Sequence, residues 1–462
     1  MQKSDLNQLF DACRQKFNSN PNPDYNSRIY LLKLLRTIII NNTDAIITAI
    51  NTDFGCRPKS ETQVLEIFLS LQCIDFAIKN LNKWLKPRHH KTSIWFWPSR
   101  SYVQPIPRGV VGIISPWNYP LFLTITPLVA AIAAGNIVMI KLSEHVPNIS
   151  NLLSNILSNI ATIILGDSNI AAELSQLPFD HLLFTGATQI GKSVMHGASN
   201  NLTSLTLELG GKSPAIIADN ITANIVHNIW LGKIFNAGQT CIAPDYLYIP
   251  KGTKEKLLNF SKSFVIQKIQ SIDNLDYCAI LNKTNYDRIL DLLKNSIEQG
   301  AIWQPLTVGP WHSCDNNIYK IAPGLLFNIN NNMKIMQQEI FGPILPVLEF
   351  DTISDILNTL KNKPKPLAIY LFTKNSKIKN IFINNTISGA LNINSTIVHA
   401  AQEDLPFGGV GESGFGVYRG KYGFDTFSVL KPIYKQSRIN IFDKFYPPKK
   451  PWQKIVLKLM LR

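Results

Sequence analysis

Two short polar runs place a thiol and a carboxylate 33 residues apart. Cys241 is centred in GKIFNAGQTCIAPDY (232–246), and Glu208 lies in LTLELGGKSP (205–214). A thiolate can attack an electrophilic carbon, and a carboxylate can activate the water that releases the product. The pair therefore suits covalent catalysis followed by hydrolysis. Taken singly, neither residue carries that reading. A lone cysteine is more often an inert buried side chain, and a mid-chain glutamate a solvated one. The thiolate is the reactive form, so the site must lower a thiol pKa that starts near ~8.5 or supply a base. Glu208 is set among Leu205, Thr206, Leu207 and Leu209. A carboxylate in such surroundings has a raised pKa, which fits a base working near neutrality.

A third run points elsewhere. Gly186-Ala187-Thr188-Gln189-Ile190-Gly191-Lys192-Ser193 matches G-x-x-x-x-G-K-[ST], the loop that cradles nucleoside triphosphates. It lies between a strand-like and a helix-like segment, and the next strand-like run ends in Asp219, which could pass for a magnesium-holding acid. The physics is broader than that family, because any helix N-terminus behind a glycine turn offers N–H groups to a phosphate, a dinucleotide's included. A triphosphate-hydrolase reading also leaves PWNYP (116–120), LELGGKSP and NAGQTCIAPDY without a purpose. Asn118, in PWNYP, taken alone is a turn residue between two prolines.

The elements that must hold these groups can be read from hydrophobic period. Residues 1–90 read as helices, with Gly55 stopping the second run and Pro87 the third. The His89-His90 pair reads as a solvated loop, since a metal site needs further ligands nearby. Residues 93–106 are aromatic and β-prone but carry Pro98 and Pro105, which suits an edge or projecting hairpin. A similar isolated run spans 426–435, and the two could pair as an arm. From residue 107 strands and helices alternate: 109–115, 127–136, 136–141, then strand, turn and helix over 177–199, and strand 213–219. Residues 220–238 read as helical and deliver the Cys241 loop, and a second α/β pattern follows through residue 400. This argues for parallel, doubly wound sheets. The nearly uncharged window 121–140 contains Pro127, Gly135 and a helix-to-strand switch, so it reads as buried core rather than a membrane span. LPFGGVGESGFG (405–416) reads as a glycine-rich loop. In the tail, Trp452, Ile455, Val456, Leu459 and Met460 share one helical face, with Lys454, Lys458 and Arg462 elsewhere. Too short to span a bilayer, it could lie on an anionic membrane surface or cap the protein's own groove.

Composition narrows the classes. The chain has 462 residues, 45% of them hydrophobic, enough for large cores. Its net charge of +15 comes from 46 Lys and Arg against 31 Asp and Glu, with only 17% of residues charged. No basic block interleaved with aromatics appears, which argues against a nucleic-acid partner. The six cysteines are scattered, with no CxxC pair and no Cys/His cluster. That indicates a reducing, cytoplasmic setting and no metal centre. The polar start shows no apolar signal-peptide core.

Seven motifs in collinear order, spanning nearly the whole chain, resemble the aldehyde dehydrogenase superfamily. The similarity is to its class 3 branch of fatty-aldehyde and bacterial coniferyl-aldehyde dehydrogenases. They are PRGVVGIISPWNYP (107–120), AAIAAGNIVMIKLSE (130–144), FTGATQIGK (184–192), TLELGGKSP (206–214), GQTCIAPDY (238–246), QEIFGPILPV (338–347) and LPFGGVGESGFG (405–416). The resemblance implies an α/β aldehyde dehydrogenase-like fold. A Rossmann-type NAD(P)-binding domain would comprise 1–92 and 107–207, and the catalytic domain 208–400. A small β oligomerisation arm would comprise 93–106 and 420–440, ahead of a basic amphipathic tail, 441–462. Cys241 matches the family nucleophile, Glu208 the general base, and Asn118 the oxyanion-hole donor together with the Cys241 N–H.

Lys141 and Glu144 match the residues that hold the adenosine ribose. Glu144 would accept from the ribose 2′-OH and repel a 2′-phosphate, favouring NAD while leaving NADP open. Gly186, Ala187, Gly191, Leu209 and Gly210 match the cofactor turn and its surroundings, Glu339 and Phe341 the grip on the nicotinamide ribose and ring. Trp117 is assigned to the cofactor side, Tyr119 and Phe407 to the substrate side. The implied reaction is NAD(P)-dependent oxidation of an aromatic or medium- to long-chain aldehyde to its acid, by a homodimer. A P-loop nucleotide hydrolase and an inactive relative with a binding role are the alternatives. Leu142 stands where the family usually has Pro, Ala187 where it has Ser, and 145–180 is shorter than usual.

Overall fold

Strand–helix alternation after residue 107 builds two mainly parallel sheets, each covered by helices. In this computed structural model the described residues are 3–438, 440, 447, 448 and 450–461. The first sheet runs in the order Gly414–Phe415, Ser204–Leu209, His181–Gly186, Val110–Ile114, Ile137–Lys141, Thr162–Ile164. All its pairings are parallel except that of Gly414–Phe415. The chain moves outward from Val110–Ile114 to Thr162–Ile164, then crosses back to His181–Gly186. Strand order therefore reverses between Val110–Ile114 and His181–Gly186, and a crevice opens at the carboxyl ends of those two strands, where such sheets bind ligands.

The second sheet runs Ile302–Pro305, Gly324–Phe327, Ile344–Phe350, Tyr246–Pro250, Pro214–Ile217, Ala368–Phe372, Ala390–Ile393. It is parallel except at the Ile302–Pro305 edge. The sheets part between Leu209 and Pro214, two residues beyond the 207/208 division expected from sequence. Glu208 and Leu209 are ladder members opposite Thr185 and Gly186. Helix Phe122–Ala134 is buried along its whole length, so the nearly uncharged window is core. Among the described residues no helix is long and apolar enough to cross a membrane.

Local readings needed four corrections. The second helical run is two helices, Tyr25–Asn41 and Thr43–Phe54, because Asn42 leaves helical geometry; Gly55, at φ +72°, ends the latter as expected. His89 and His90 belong to strand Arg88–His90, which pairs antiparallel with Arg100–Pro107, rather than to a loop. No group of three metal-ligating side chains occurs among the described residues. The helix before Cys241 stops at Ile234, and residues 235–238 form a tight turn. Inside the glycine-rich stretch, Gly414–Phe415 is a short strand pairing with Leu207 and Glu208. The isolated runs do pair: Ser428–Lys435 lies antiparallel to Arg100–Pro107, from Ser428 opposite Pro107 to Lys435 opposite Arg100. Residues 441–446, 449 and 462 of the tail lie outside the described set. The rest forms helix Pro451–Met460, with Trp452, Ile455 and Leu459 exposed and Val456 and Met460 half-buried.

Candidate active site

A cavity of about 980 Å³ occupies the crevice at the strand reversal and extends to Cys241. Its walls include Trp117, Asn118, Lys141, Glu144, Gly186, Ala187, Glu208, Gly210, Cys241, Glu339 and Phe341. Residues scattered over more than 200 positions thus face one space. Glu208 is put there by the parallel ladder with His181–Gly186 on one side and by Gly414 on the other. Cys241 is put there by the turn after Ile234, with Tyr370 Oη bonded to the Ile242 carbonyl beneath it.

The Glu208 carboxylate is buried, and neither oxygen has a hydrogen-bond partner. Burial holds its pKa well above the usual carboxylate range, against the weaker pull of Arg419. The apolar surroundings read from LTLEL are therefore real. Cys241 goes the other way from the simplest expectation. Burial, Glu339 and Glu208 push its thiol up to about 12, so the protein alone does not lower this pKa and a base must take the proton. Alkylation of Cys241 by iodoacetamide without cofactor should accordingly rise about tenfold per pH unit from about pH 7 to 10. Mass spectrometry of the Cys241 peptide reads this directly; a plateau below about pH 9 would contradict it.

Asn118 is anchored on both sides. Its Nδ2 donates to the Gln239 carbonyl at 3.1 Å, and its own carbonyl accepts from Asn236 Nδ2 at 2.9 Å and Arg57 Nη1 at 3.0 Å. The second amide hydrogen is left for a ligand. Glu339 sits so close to Gly210 that a Cβ there would lie 2.1 Å from its Oε2, so a side chain at 210 would displace the Glu339 carboxyl. Burial and Asp245 push the Glu339 carboxyl up to about 8, against the Gly211 N–H, Lys212 and Arg288. Trp117 and Phe341 meet edge to face at 5.3 Å.

At the far end, Lys141 Nζ bonds Glu144 in the cavity wall. Partial burial works against the Glu144 carboxylate, but the Lys141 bond and the charges of Lys141 and His145 outweigh it and lower its pKa. Helix Thr188–Ser199 starts at Ala187 without a side-chain cap, so its first-turn N–H groups are free to bind a phosphate. These features fit a dinucleotide: a ribose-binding carboxylate at one end, an uncapped helix start in the middle, and a thiol beside an aromatic pair at the other.

Four expected site residues do not face the cavity. Gly191 and Leu209 stand behind its wall, packed on each other so closely that a Cβ on Gly191 would lie 2.6 Å from Leu209 Cδ2. Tyr119 is buried, and its hydroxyl bonds Thr240 Oγ1 at 2.7 Å, bracing the residue before the thiol. Phe407 is stacked on His399 at 5.9 Å and set against Tyr418. The triphosphate-loop features are spent otherwise. Lys192 is exposed outside the cavity wall, and Asp219 bonds Thr373 Oγ1 at 2.8 Å and the Lys374 N–H at 2.6 Å. Conversely, the buried charges Arg57, Glu61 and Glu66, which contact the backbone of Asn118, Asn236 and Leu121, were read only as part of a helical run. No sequence signal marks them, since charges four and five apart are ordinary on a solvated helix face.

Residues 1–433 match the aldehyde dehydrogenase family, and the chain belongs to it. It is an aldehyde dehydrogenase enzyme, with the aldehyde dehydrogenase fold. It is 42% identical to a probable coniferyl aldehyde dehydrogenase of Pseudomonas aeruginosa, over 99% of this chain and 96% of that protein. It is 38% identical to the 4,4′-diaponeurosporen-aldehyde dehydrogenase of Staphylococcus aureus, over 94% of this chain and 95% of that one. The solved substrate-bound state of Staphylococcus aureus AldH superposes with a TM-score of 0.92, at 34% identity and 99% coverage of both chains.

Proposed function

We propose that this enzyme oxidises neutral, apolar aldehydes, aromatic coniferyl-type or medium- to long-chain aliphatic, with NAD preferred over NADP. The observation that carries the mechanism is that Cys241, Glu208 and Asn118 share one cavity with the Lys141–Glu144 pair and the uncapped helix start. Cys241 Sγ gives up its proton to a neighbouring carboxylate and attacks the aldehyde carbon. The resulting oxyanion is held by the free Asn118 Nδ2 hydrogen and the Cys241 N–H. When bound, NAD or NADP supplies the hydride acceptor. Oxidation of the Cys241 adduct leaves a thioester. Glu208 takes a proton from the water that attacks it, and the acid leaves. Glu144 and Lys141 would hold the cofactor's adenosine ribose, and Phe341 and Trp117 would bound the nicotinamide end.

Neutral substrates follow from solvation: burial holds the Cys241 thiol and the Glu208 and Glu339 carboxyls towards their neutral forms, and a site that disfavours charge on its own groups disfavours it on an aldehyde. The names of the two relatives, a probable coniferyl aldehyde dehydrogenase and a 4,4′-diaponeurosporen-aldehyde dehydrogenase, support an apolar substrate. Cofactor absorbance with a panel of cinnamyl-type, octanal-type and carboxylated aldehydes tests this. Neutral members should exceed carboxylated ones at least about 100-fold in kcat/KM, a difference near 2.7 kcal/mol; a preferred anionic aldehyde would overturn it. Removing the ribose carboxylate, Glu144→Ala, should shift the NAD/NADP ratio of kcat/KM towards NADP about 10-fold or more.

A dimer joined through the Arg88–His90, Arg100–Pro107, Ser428–Lys435 sheet also belongs to this reading. Its support is the Ser428–Lys435 strand, which pairs on one side only and exposes Val429, Leu430 and Tyr434. Light scattering reads the mass. The exposed apolar side chains of helix Pro451–Met460 provide a surface for an anionic membrane or the protein's own groove, which vesicle flotation distinguishes.

A further inference from the structure

Charged side chains from the N-terminal helices reach the underside of the active site. Arg57 is 2% exposed, Glu61 9% and Glu66 none. Helix Lys59–Thr62 runs on into a π-helical stretch, Gln63–Phe68, a rare geometry that appears frequently at functional sites. Glu66 Oε1 pairs with Arg57 Nη1 at 3.0 Å, with both side chains fully buried. Its Oε2 accepts the N–H groups of Leu121 and Phe122 at 2.9 and 3.0 Å, and Arg57 Nη1 donates to the Asn118 carbonyl. Glu61 Oε1 accepts the backbone N–H of Asn236.

Asn236 begins an unusual turn. It and Ala237 are left-handed, at φ 52° and 50°, and Gly238 follows at φ 77°. Left-handed residues other than glycine are strained and persist only where neighbours hold them. This turn delivers Gln239, whose carbonyl accepts from Asn118 Nδ2 at 3.1 Å and from Asn236 Nδ2 at 3.1 Å. Thr240 and Cys241 come next. The amide of Asn118 and the backbone of Cys241 are therefore positioned by one frame, and Glu61 holds the first N–H of its strained turn.

We propose that Glu61 is a positioning residue for the dehydrogenase reaction: it clamps the Asn236–Gly238 turn and thereby sets the Asn118 amide and the Cys241 N–H as paired oxyanion donors. It rests on the role given above to Asn118. Glu61 is not in the cavity wall, so it acts only through that turn. What the turn needs from residue 61 is an acceptor oxygen at the right reach, not a charge. Burial, opposed by Arg57 and the Asn236 N–H and abetted by Glu66, pushes the carboxyl up to about 7, in keeping with a group whose charge is dispensable.

Steady-state kinetics with NAD and a neutral aldehyde test this on Glu61→Ala, Glu61→Gln, Glu61→Asp, Asn118→Ala and the double variant Glu61→Ala/Asn118→Ala. Glu61→Ala should lower kcat about 10- to 100-fold, with the KM for NAD unchanged. Glu61→Gln, which keeps the acceptor and its reach, should stay within about threefold of wild type. Glu61→Asp, one methylene short with its charge kept, should fall like the alanine variant, and it serves if alanine prevents folding. The double variant should lose clearly less than the product of the two single losses, because both changes act on the Asn118 donor. Losses that multiply, a dead glutamine variant, or a fully active aspartate variant would overturn the proposal. Full activity in Asn118→Ala would instead overturn the oxyanion assignment itself, which keeps the two failures apart.

Discussion

Cys241→Ser should oxidise aldehydes at least about 10³-fold more slowly than the wild-type chain while binding NAD with unchanged affinity. Serine keeps the size of the side chain and the tight turn that carries it, so the loss isolates the nucleophile. The wild-type thiol already stands at about 12 through burial and two nearby carboxyls, and a hydroxyl in the same field is harder still to ionise. The remaining cysteines cannot substitute. Cys13, Cys56, Cys73 and Cys278 are buried, Cys314 is exposed, and none of the five is in the cavity wall. Cofactor absorbance in steady state gives the rate, and quenching of tryptophan fluorescence by NAD the affinity. Full dehydrogenase activity in the serine variant would sink the covalent mechanism. Magnesium-dependent ATP turnover surviving Cys241→Ala would revive the triphosphate-loop reading of 186–193.

Glu208→Gln should separate the two halves of the reaction. Glutamine fits the same slot in the ladder but cannot take a proton from water. A first turnover should still release about one equivalent of reduced cofactor per site, after which steady turnover falls about 10²- to 10⁴-fold. Rapid mixing reads the burst, and intact-protein mass shows the acyl group held on Cys241. Loss of the burst itself would mean that Glu208 is indispensable before the thioester forms.

The same substitution carries a stability prediction with a definite sign. The folded-state pKa of Glu208 lies well above its unfolded value. The native chain therefore keeps a proton that the unfolded chain has already lost, and wild-type stability falls as pH rises above the ordinary carboxylate range. Glu208→Gln has no such proton to lose. Its melting temperature relative to wild type should rise as pH climbs above the ordinary carboxylate range, which calorimetry can follow. A margin that shrinks with pH would show the carboxylate to be stabilised, not strained, by its pocket.

The chemistry was legible because it is written in short contiguous runs. GQTCIAPDY, TLELGGKSP and PWNYP each specify one side chain that lines the cavity together with the backbone turn or strand that presents it. The strand–helix alternation after residue 107 was legible for a related reason: period and turn residues are local properties. The P-loop-like run showed the limit of that locality. Its glycines and helix start serve any phosphate, and only position in the fold assigns Lys192 to solvent and Asp219 to Thr373.

Direction and environment were not local. Tyr119 and Phe407 lie within motifs of the site, yet neither lines the cavity, because which face of a turn looks into a cavity depends on what packs behind it. Gly191 and Leu209 are placed by contact between a helix and a strand. The high thiol pKa of Cys241 comes first from burial and then from carboxyls 98 residues downstream and 33 upstream in the chain, none of which a spacing rule anticipates. Arg57, Glu61 and Glu66 were hidden in a helical pattern because burial, not sequence, makes a charge costly enough to need a partner. By itself, then, the sequence determined which polar groups gather around Cys241. Tertiary packing alone decided their protonation and the frame that aims them, since both depend on long-range contacts that only the closed fold brings together.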